Sequence, residues 1–343
     1  MFEDKTVLVT GGTGSFGKHF VWKILDNHDV RRIIIFSRDE LKQYEMMCDS
    51  RFSQHSKKLR FFIGDVRDKE RLGFAFKGVD YVVHAAALKQ VLAAEYNPFE
   101  VVKTNIVGAQ NIVDCAIECD VKKVLALSTD KAAAPVNLYG ATKLVSDKLF
   151  ISANNYRGSV GPKLSVVRYG NVMGSRGSVI PFFLSRAKEG LLPITDPAMT
   201  RFSITLDQSV GFVIDSLSRM WGGELFVPKI PSYRIVDLAK AIAPDAKHPT
   251  IGGRPGEKLH EHLILQEDAP HVVEFASSFV IMPNSQYLDW DREQFRQQSR
   301  DEVGQYCKQD FNYNSKENLP YLSIDDLRKL ISENVAGSEV ITL

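Results

Sequence analysis

Four cysteines in 343 residues, at positions 48, 115, 119 and 307, are too few and too unevenly spaced for a disulfide framework. Cys115 and Cys119 stand one helical turn apart instead of forming a Cys-x-x-Cys pair, so reduced thiols in a cytoplasmic protein are expected. No apolar run approaches the roughly 18 residues of a membrane-spanning helix. The first residues, Met1-Phe2-Glu3-Asp4-Lys5, lead straight into a strand-like run without a charged and apolar leader, and no membrane partner is expected. An excess of either charge is missing too, since 43 basic and 42 acidic residues leave a net +1. Nothing in that balance attracts nucleic acid at long range, so an anionic ligand must be met by a local site. The eight histidines form no metal set, and His260-Glu261-His262 lacks the spacing that puts two imidazoles on one helix face. What is present is an ordinary globular mixture, 44% hydrophobic and 25% charged, which excludes a disordered, collagen-like or coiled-coil chain. The length corresponds to roughly two domains.

The first half alternates between strand and helix. Thr6–Thr10, Arg32–Ser37, Leu59–Asp65, Tyr81–Ala86, Lys123–Ser128 and Lys163–Gly170 are continuous apolar runs, as in strands covered on both faces. Helical stretches separate them, among them Gly17–Asp26, Lys69–Phe76, a long Phe99–Glu118 and one from Tyr139. This predicts an α/β fold, a Rossmann-type doubly wound parallel sheet with a smaller mixed α/β substrate-binding domain. The nucleotide-binding domain is expected over 1–170, with part of 200–230 returning to it. Residues 171–288, where prolines are frequent, are expected to bind substrate, and 289–343 to form a C-terminal arm and helix. The arm is polar and Gln-rich over 289–314, and reads as extended or partly disordered. Its last helix should start at Ser323-Ile324-Asp325-Asp326, a capping box.

Between the first strand and first helix lies Thr10-Gly11-Gly12-Thr13-Gly14-Ser15-Phe16-Gly17. Gly11 permits a tight turn, Gly14 lets the backbone approach a pyrophosphate, and Gly17 lets helix and strand pack closely. The helix N-terminus then presents free N–H groups to that anion. No Lys-Ser/Thr follows, so this is not a nucleoside triphosphatase loop. At the end of the second strand an NAD site wants a carboxylate and an NADP site a cation. Ser37, Arg38 and Lys42 favour NADP, while Asp39 argues the other way. Asp65, in Gly64-Asp65-Val66, can accept from the adenine amino group or serve as a helix cap.

After the fifth strand come Ser128-Thr129-Asp130-Lys131 and Tyr139-Gly140-Ala141-Thr142-Lys143. Tyr139 and Lys143 share a helix face, and an ammonium there is expected to lower the tyrosine pKa, making a base for a substrate hydroxyl. With the glycine motif upstream, this resembles the extended short-chain dehydrogenase/reductase superfamily. The Asp130-Lys131 pair narrows the resemblance. Ser128-Thr129-Asp130-Lys131-Ala132 with Asn137-Leu138-Tyr139-Gly140-Ala141-Thr142-Lys143 resembles the inverting UDP-N-acetylglucosamine 4,6-dehydratases, whereas the retaining dTDP-glucose type carries Thr-Asp-Glu. Further blocks agree, including Ser37-Arg38-Asp39-Glu40-Leu41-Lys42-Gln43, Gly174-Ser175-Arg176-Gly177-Ser178 and Arg254-Pro255-Gly256-Glu257-Lys258. The similarity runs from about residue 2 to 265 and again near 311–331.

The resemblance implies that Tyr139, helped by Thr129 and Lys143, takes the O4 proton of the hexose while C4 hydride passes to NADP⁺. Lys131, as a neutral amine, would then remove the C5 hydrogen, and Asp130 would protonate the leaving C6 hydroxyl. Hydride returns to C6 and C5 is reprotonated from the opposite face, giving UDP-2-acetamido-2,6-dideoxy-β-L-arabino-hexos-4-ulose. A close Asp130–Lys131 ion pair would oppose both protonation states. Thr13, Ser15, Phe16, Val66, Ala85, Ala86, Ala87 and Asn105 join the cofactor contacts, with Tyr139 and Lys143. Asn171, Arg201, Arg254 and Glu257 match substrate-binding positions, and Lys89, after the fourth strand, can reach the sugar or its phosphate. A homo-oligomer, hexamers included, is implied as well. Four positions depart from the family pattern: Gln90 for His, Leu92 for Pro, Ala134 for Asn and Ser203 for Trp, all expected near the sugar pocket. A nucleotide-sugar 4-epimerase, a retaining dehydratase and an inactive NADP-binding regulator remain alternatives.

Overall fold

The computed structural model describes residues 1–335 apart from 159, 176, 284–287, 289 and 299–301. Six strands form at the six apolar runs: β1 (Thr6–Thr10), β2 (Arg32–Ser37), β3 (Leu59–Ile63), β4 (Tyr81–His84), β5 (Lys123–Thr129) and β6 (Lys163–Tyr169). They lie parallel in the order β3-β2-β1-β4-β5-β6. That order reverses between β1 and β4, so a crevice opens at the carboxyl ends of the strands on either side of the reversal. Helices cover both faces, and β1 is buried along its whole length.

The later strands are short: β7 (Asn171–Val172), β8 (Thr200–Ile204), β9 (Leu225–Pro228), β10 (Ser232–Arg234), β11 (His262–Ile264), β12 (Val272–Glu274), β13 (Ser278–Ile281), β14 (Gln305–Tyr306) and β15 (Tyr313–Asn314). β9 joins β6 in parallel, and β13, β12 and β14 extend the same sheet antiparallel to ten strands. The expected boundary near residue 170 is therefore crossed by β9, β12, β13 and β14. The remaining strands form a three-stranded sheet, β10-β8-β7, and the pair β11-β15. A second apolar cluster around Phe183, Leu192, Leu238 and Leu327 supports this smaller lobe.

Two expectations change. The helix expected over Phe99–Glu118 is interrupted by a π-helical turn, Lys103–Val107, between Pro98–Val102 and Gly108–Glu118. Such a turn widens the backbone and often marks a site. The C-terminal arm is folded where it is described, with a helix at Arg292–Gln298 and edge strand β14. Trp290 and Phe295 anchor it on Trp221, with ring centroids 5.7 and 5.3 Å away, an apolar hold that the Gln-rich composition hides. Arg176 and positions 289 and 299–301 of the arm lie outside the described residues. The capping box at Ser323 forms, Asp326 N–H donating to Ser323 Oγ at 3.1 Å. Among the described residues no helix is long and apolar enough to cross a membrane.

Candidate active site

A cavity of about 1220 Å³ lies along the carboxyl ends of β1, β2, β4, β5 and β6. This exceeds the ~300–1,000 Å³ of a single small-ligand pocket, leaving room for two ligands side by side. The glycine loop forms one wall. Gly11 has φ +66°, and a Cβ there would press on the Ala85–Ala86 peptide at 3.0–3.1 Å. At Gly17 a Cβ would lie 2.5 Å from Gly12 Cα, so only glycine lets this helix start so close to β1. Helix Ser15–Asn27 has no side-chain cap and no acid in its first turn, leaving its N–H groups and positive end for an anion. Buried His84 ties the start of the glycine loop to the segment after β4. Burial, then Lys143, pushes its pKa down to about 3, so the ring is neutral. Its Nδ1 meets Thr10 Oγ1 at 2.8 Å, and that hydroxyl accepts from Ala86 N–H at 3.3 Å.

At the end of β2, Asp39 is occupied. Its carboxylate caps helix Glu40–Cys48 by accepting from Lys42 N–H at 3.0 Å, and it pairs with Lys42 Nζ at 2.5 Å. Gln43 Nε2 donates to Ser37 Oγ at 2.9 Å and fixes that hydroxyl. The Arg38 side chain is 52% exposed, 3.6 Å from Asp65. Burial works against the Asp65 carboxylate, but Arg67 at 2.7 Å and then Arg38 hold it below the usual range. Gly14, Ser37, Arg38, Lys42, Asp65 and Val66 all line the cavity. These residues could hold a nicotinamide dinucleotide, with the bare helix end toward the pyrophosphate, the cations at the β2 end and Tyr139 with Lys143 beyond.

The reaction centre hangs on β5. Thr129 ends the strand, and Asp130–Ala132 turn away in a single 3₁₀ turn. Helix Leu138–Ser152 packs against that turn so closely that a Cβ on Gly140 would lie 2.2 Å from Lys131 O. Asn137 caps the helix through Gly140 N–H at 2.8 Å and donates to Gly256 O at 2.8 Å, which ties in the loop carrying Arg254 and Glu257. Lys131 Nζ donates to Asp130 Oδ1 at 3.0 Å, and Thr129 Oγ1 donates to the same oxygen at 3.0 Å. Asp130 Oδ2 is buried with no partner. Burial raises the Asp130 carboxyl, as an acid requires. Lys131 goes the other way. Burial would lower its ammonium, but the carboxylates of Asp130 and Glu261 hold it above its ordinary value. Burial pushes the Tyr139 phenol up to about 12, against the opposing pull of Lys131 and the Thr129 hydrogen bond, so the lowered value expected from Lys143 is not found.

The model of the polysaccharide biosynthesis protein family matches residues 7–283. The chain belongs to that family. It is 52% identical over 334 residues, 97% of this chain and 98% of the relative, to the UDP-N-acetylglucosamine 4,6-dehydratase (inverting) of Campylobacter jejuni. To the UDP-glucose 4-epimerase of Rickettsia canadensis it is 46% identical over 276 residues, 78% of this chain and 80% of the relative. The solved structure of Pen from Bacillus thuringiensis matches with a TM-score of 0.86 at 36% identity, covering 97% of this chain and 98% of that one. The resemblance drawn from the motifs is borne out, as is the fold class.

This member of the polysaccharide biosynthesis family brings all but one of the expected site residues to the cavity wall. The exception is Asn105, on the π-helical turn. It is buried, with Nδ2 donating to Leu88 O at 2.9 Å and Thr142 Oγ1 at 3.0 Å, and Oδ1 accepting from Leu88 N–H at 2.8 Å. It braces the loop after β4 from behind. Arg201 lines the cavity, but its Nη1 donates to Thr200 O at 2.7 Å and Leu259 O at 3.2 Å, so part of its fork is spent on the fold. Lys89, Asn171, Arg254 and Glu257 also line the cavity, and Asn171 Oδ1 is buried without a partner. Sequence reasoning missed Thr104 and Ser178, whose buried, unpartnered hydroxyls belong to cavity-lining residues, and Glu261. A Glu beside two histidines carried only a metal question in the sequence. Of the four departures, Gln90 and Leu92 line the cavity, while Ala134 and Ser203 do not. Gln90 packs where a Cβ on Gly177 would come within 2.5 Å of its Nε2.

Proposed function

We propose that this chain is a cytoplasmic, homo-oligomeric UDP-N-acetylglucosamine 4,6-dehydratase, an NADP-dependent hydro-lyase that inverts C5. One observation carries the reading. The bare, buried Asp130 Oδ2 lies beside Lys131 and Tyr139 in the same cavity as the glycine loop. An unsatisfied carboxyl oxygen in such a place costs free energy unless a ligand meets it.

Bound NADP⁺ supplies a temporary acceptor for the C4 hydride. Residues 11–17 would hold its pyrophosphate, and Arg38 with Ser37 and Lys42 its 2′-phosphate, since Asp39 is already committed to its helix. Tyr139 would take the O4 proton as its phenolate, the minority form at neutral pH because burial outweighs the pull of Lys131 and the Thr129 hydrogen bond. The conflicting demands on Asp130 and Lys131 have a simple resolution. The ion pair and the neutral pair contain the same number of protons, and one proton crossing the 3.0 Å hydrogen bond converts one into the other. Burial favours the neutral pair at both residues, and a substrate that dries the cavity adds to it. The neutral Lys131 amine then takes the C5 proton and Asp130 gives its proton to the C6 hydroxyl, which leaves as water. The pair ends as ammonium and carboxylate. Asn171, Arg254, Glu257 and Lys89 are assigned to the nucleotide and sugar, Arg254 through its planar fork on phosphate.

Incubation with UDP-N-acetylglucosamine in deuterated water, followed by NMR, tests this. The expected product has a C6 methyl group, a C4 ketone, inverted C5 and deuterium at C5. A C4 epimer with its C6 hydroxyl intact would instead make the chain an epimerase, for which the Asp130–Lys131 pair has no work. Retained C5 configuration would make it a retaining dehydratase. No turnover by NADP-loaded protein would leave a binding protein.

A further inference from the structure

Glu261 takes no part in these steps, yet its buried carboxylate lies next to them, with Oε2 making no hydrogen bond. Its side chain is 2% exposed. Ser315, next to β15, fixes its backbone from both sides, accepting from Glu261 N–H at 2.9 Å through Oγ and donating N–H to Glu261 O at 2.8 Å. One carboxylate oxygen lies 3.2 Å from Lys131 Nζ and 3.9 Å from Arg201 Nε, and the other 3.7 Å from Lys258 Nζ. Neither flanking cation is free to drift. Arg201 donates to two backbone carbonyls, and Lys258 Nζ to Ala133 O.

We propose that Glu261 is a positioning residue for Lys131: flanked by the charges of Arg201 and Lys258, its carboxylate fixes the amine against Asp130 and keeps the pair ionic until substrate fills the cavity. The proposal rests on Lys131 being the base. Its consequence follows from the charges around that amine. Asp130 and Glu261 attract the ammonium, from its own turn and from the segment before β11. Arg201 on β8, Lys258 and Lys89 after β4 repel it. Tyr139 and Tyr233, both pushed up to about 12 by burial, are uncharged phenols at neutral pH. Without the Glu261 charge the Asp130–Lys131 pair faces cations alone. Gaining a proton becomes harder and losing one easier, so both macroscopic pKa values of the pair fall. Removing the Lys258 charge does the reverse.

The test is the pH profile of kcat for dehydration by the NADP-loaded enzyme and three variants. Glu261→Gln should move both limbs to lower pH by about 1 to 3 units, the usual effect of one charge at this range. Glu261→Asp, which keeps the charge, should restore them toward the parent. Lys258→Met should move them to higher pH. A folded, NADP-binding Glu261→Gln enzyme with unmoved limbs overturns the proposal, as does a Lys258→Met shift to lower pH, which decides the matter should Glu261→Gln not fold. Lys131→Ala separates this from the underlying reading. If that variant dehydrates at the parental rate, the base itself is misassigned. If it is inactive while the Glu261→Gln limbs stay put, only the role of Glu261 falls.

Discussion

Gly11, Gly14 and Gly17 shape the proposed cofactor end of the cavity within one short loop, by backbone form, whereas Lys131, Arg201, Lys258 and Glu261 come together at the proposed sugar end from segments far apart in the chain, by charge. The first, at its glycine loop, should tolerate changes of charge and fail on added volume. The second should tolerate small changes of volume and respond to every charge.

That contrast can be broken most forcefully at Gly17. Gly17→Ala puts a methyl 2.5 Å from Gly12 Cα, a backbone atom that cannot swing aside. Overpacking of this kind costs about 1–3 kcal/mol, and here it should also displace the helix end and abolish measurable NADP binding by fluorescence titration. Undiminished binding would show the loop to be softer than it looks. Next comes Arg38→Ala, which removes a charge from the proposed 2′-phosphate position, beside the loop. A hydrogen bond to a charged group is worth about 1.5–3 kcal/mol, so NADP affinity should drop roughly 10- to 100-fold while NAD affinity holds. Equal losses for both cofactors would contradict the NADP assignment.

His84 sharpens the comparison in a different way, since it is a neutral ring bracing the glycine end. Its folded pKa of about 3 lies below the ordinary value of 6.5, so the unfolded chain binds the extra proton first. Stability must fall as pH drops from about 6.5 toward 3, by about 2 kcal/mol between pH 7 and pH 5 for this group alone. Urea unfolding at the two pH values checks this, and His84→Asn should lose that part of the slope. The smallest effect is expected at Ala134, which lies outside the cavity with φ +45°. An L-residue pays a steric cost of about 1–2 kcal/mol there, so Ala134→Gly should raise the unfolding free energy by about 1 kcal/mol or less, glycine's greater chain entropy offsetting part of the gain. The asparagine expected at this place in the family tolerates that conformation, which explains the pattern, and the change should leave activity unaltered.

The cofactor end was open to reading from sequence because its signals are local. Glycine spacing and strand length each act within a few residues. The six strands of the parallel sheet followed from the same kind of signal. The sugar end was legible only where chemistry sat in a contiguous motif, as with Thr129, Asp130, Lys131, Tyr139 and Lys143. Glu261 reaches Lys131 only because β11 pairs with β15 and Ser315 pins the segment, contacts that no local pattern encodes. Asn105 misled for a related reason. A polar residue near a predicted site was assigned to the ligand, whereas the π-helical turn points its amide at Leu88 and Thr142. The C-terminal arm was misjudged because its glutamines outnumber the aromatic residues that anchor it.

The central claim is that Lys131 and Asp130 strip water from a sugar already oxidised at C4. Its most direct test is a single turnover of NADP-loaded Lys131→Ala with UDP-N-acetylglucosamine, following reduced-nicotinamide absorbance and 6-deoxy product together. The account predicts that absorbance still rises while product formation drops by about 10²–10⁴-fold, the usual worth of a general base. Product forming at the parental rate, or loss of the absorbance change along with it, would contradict the account.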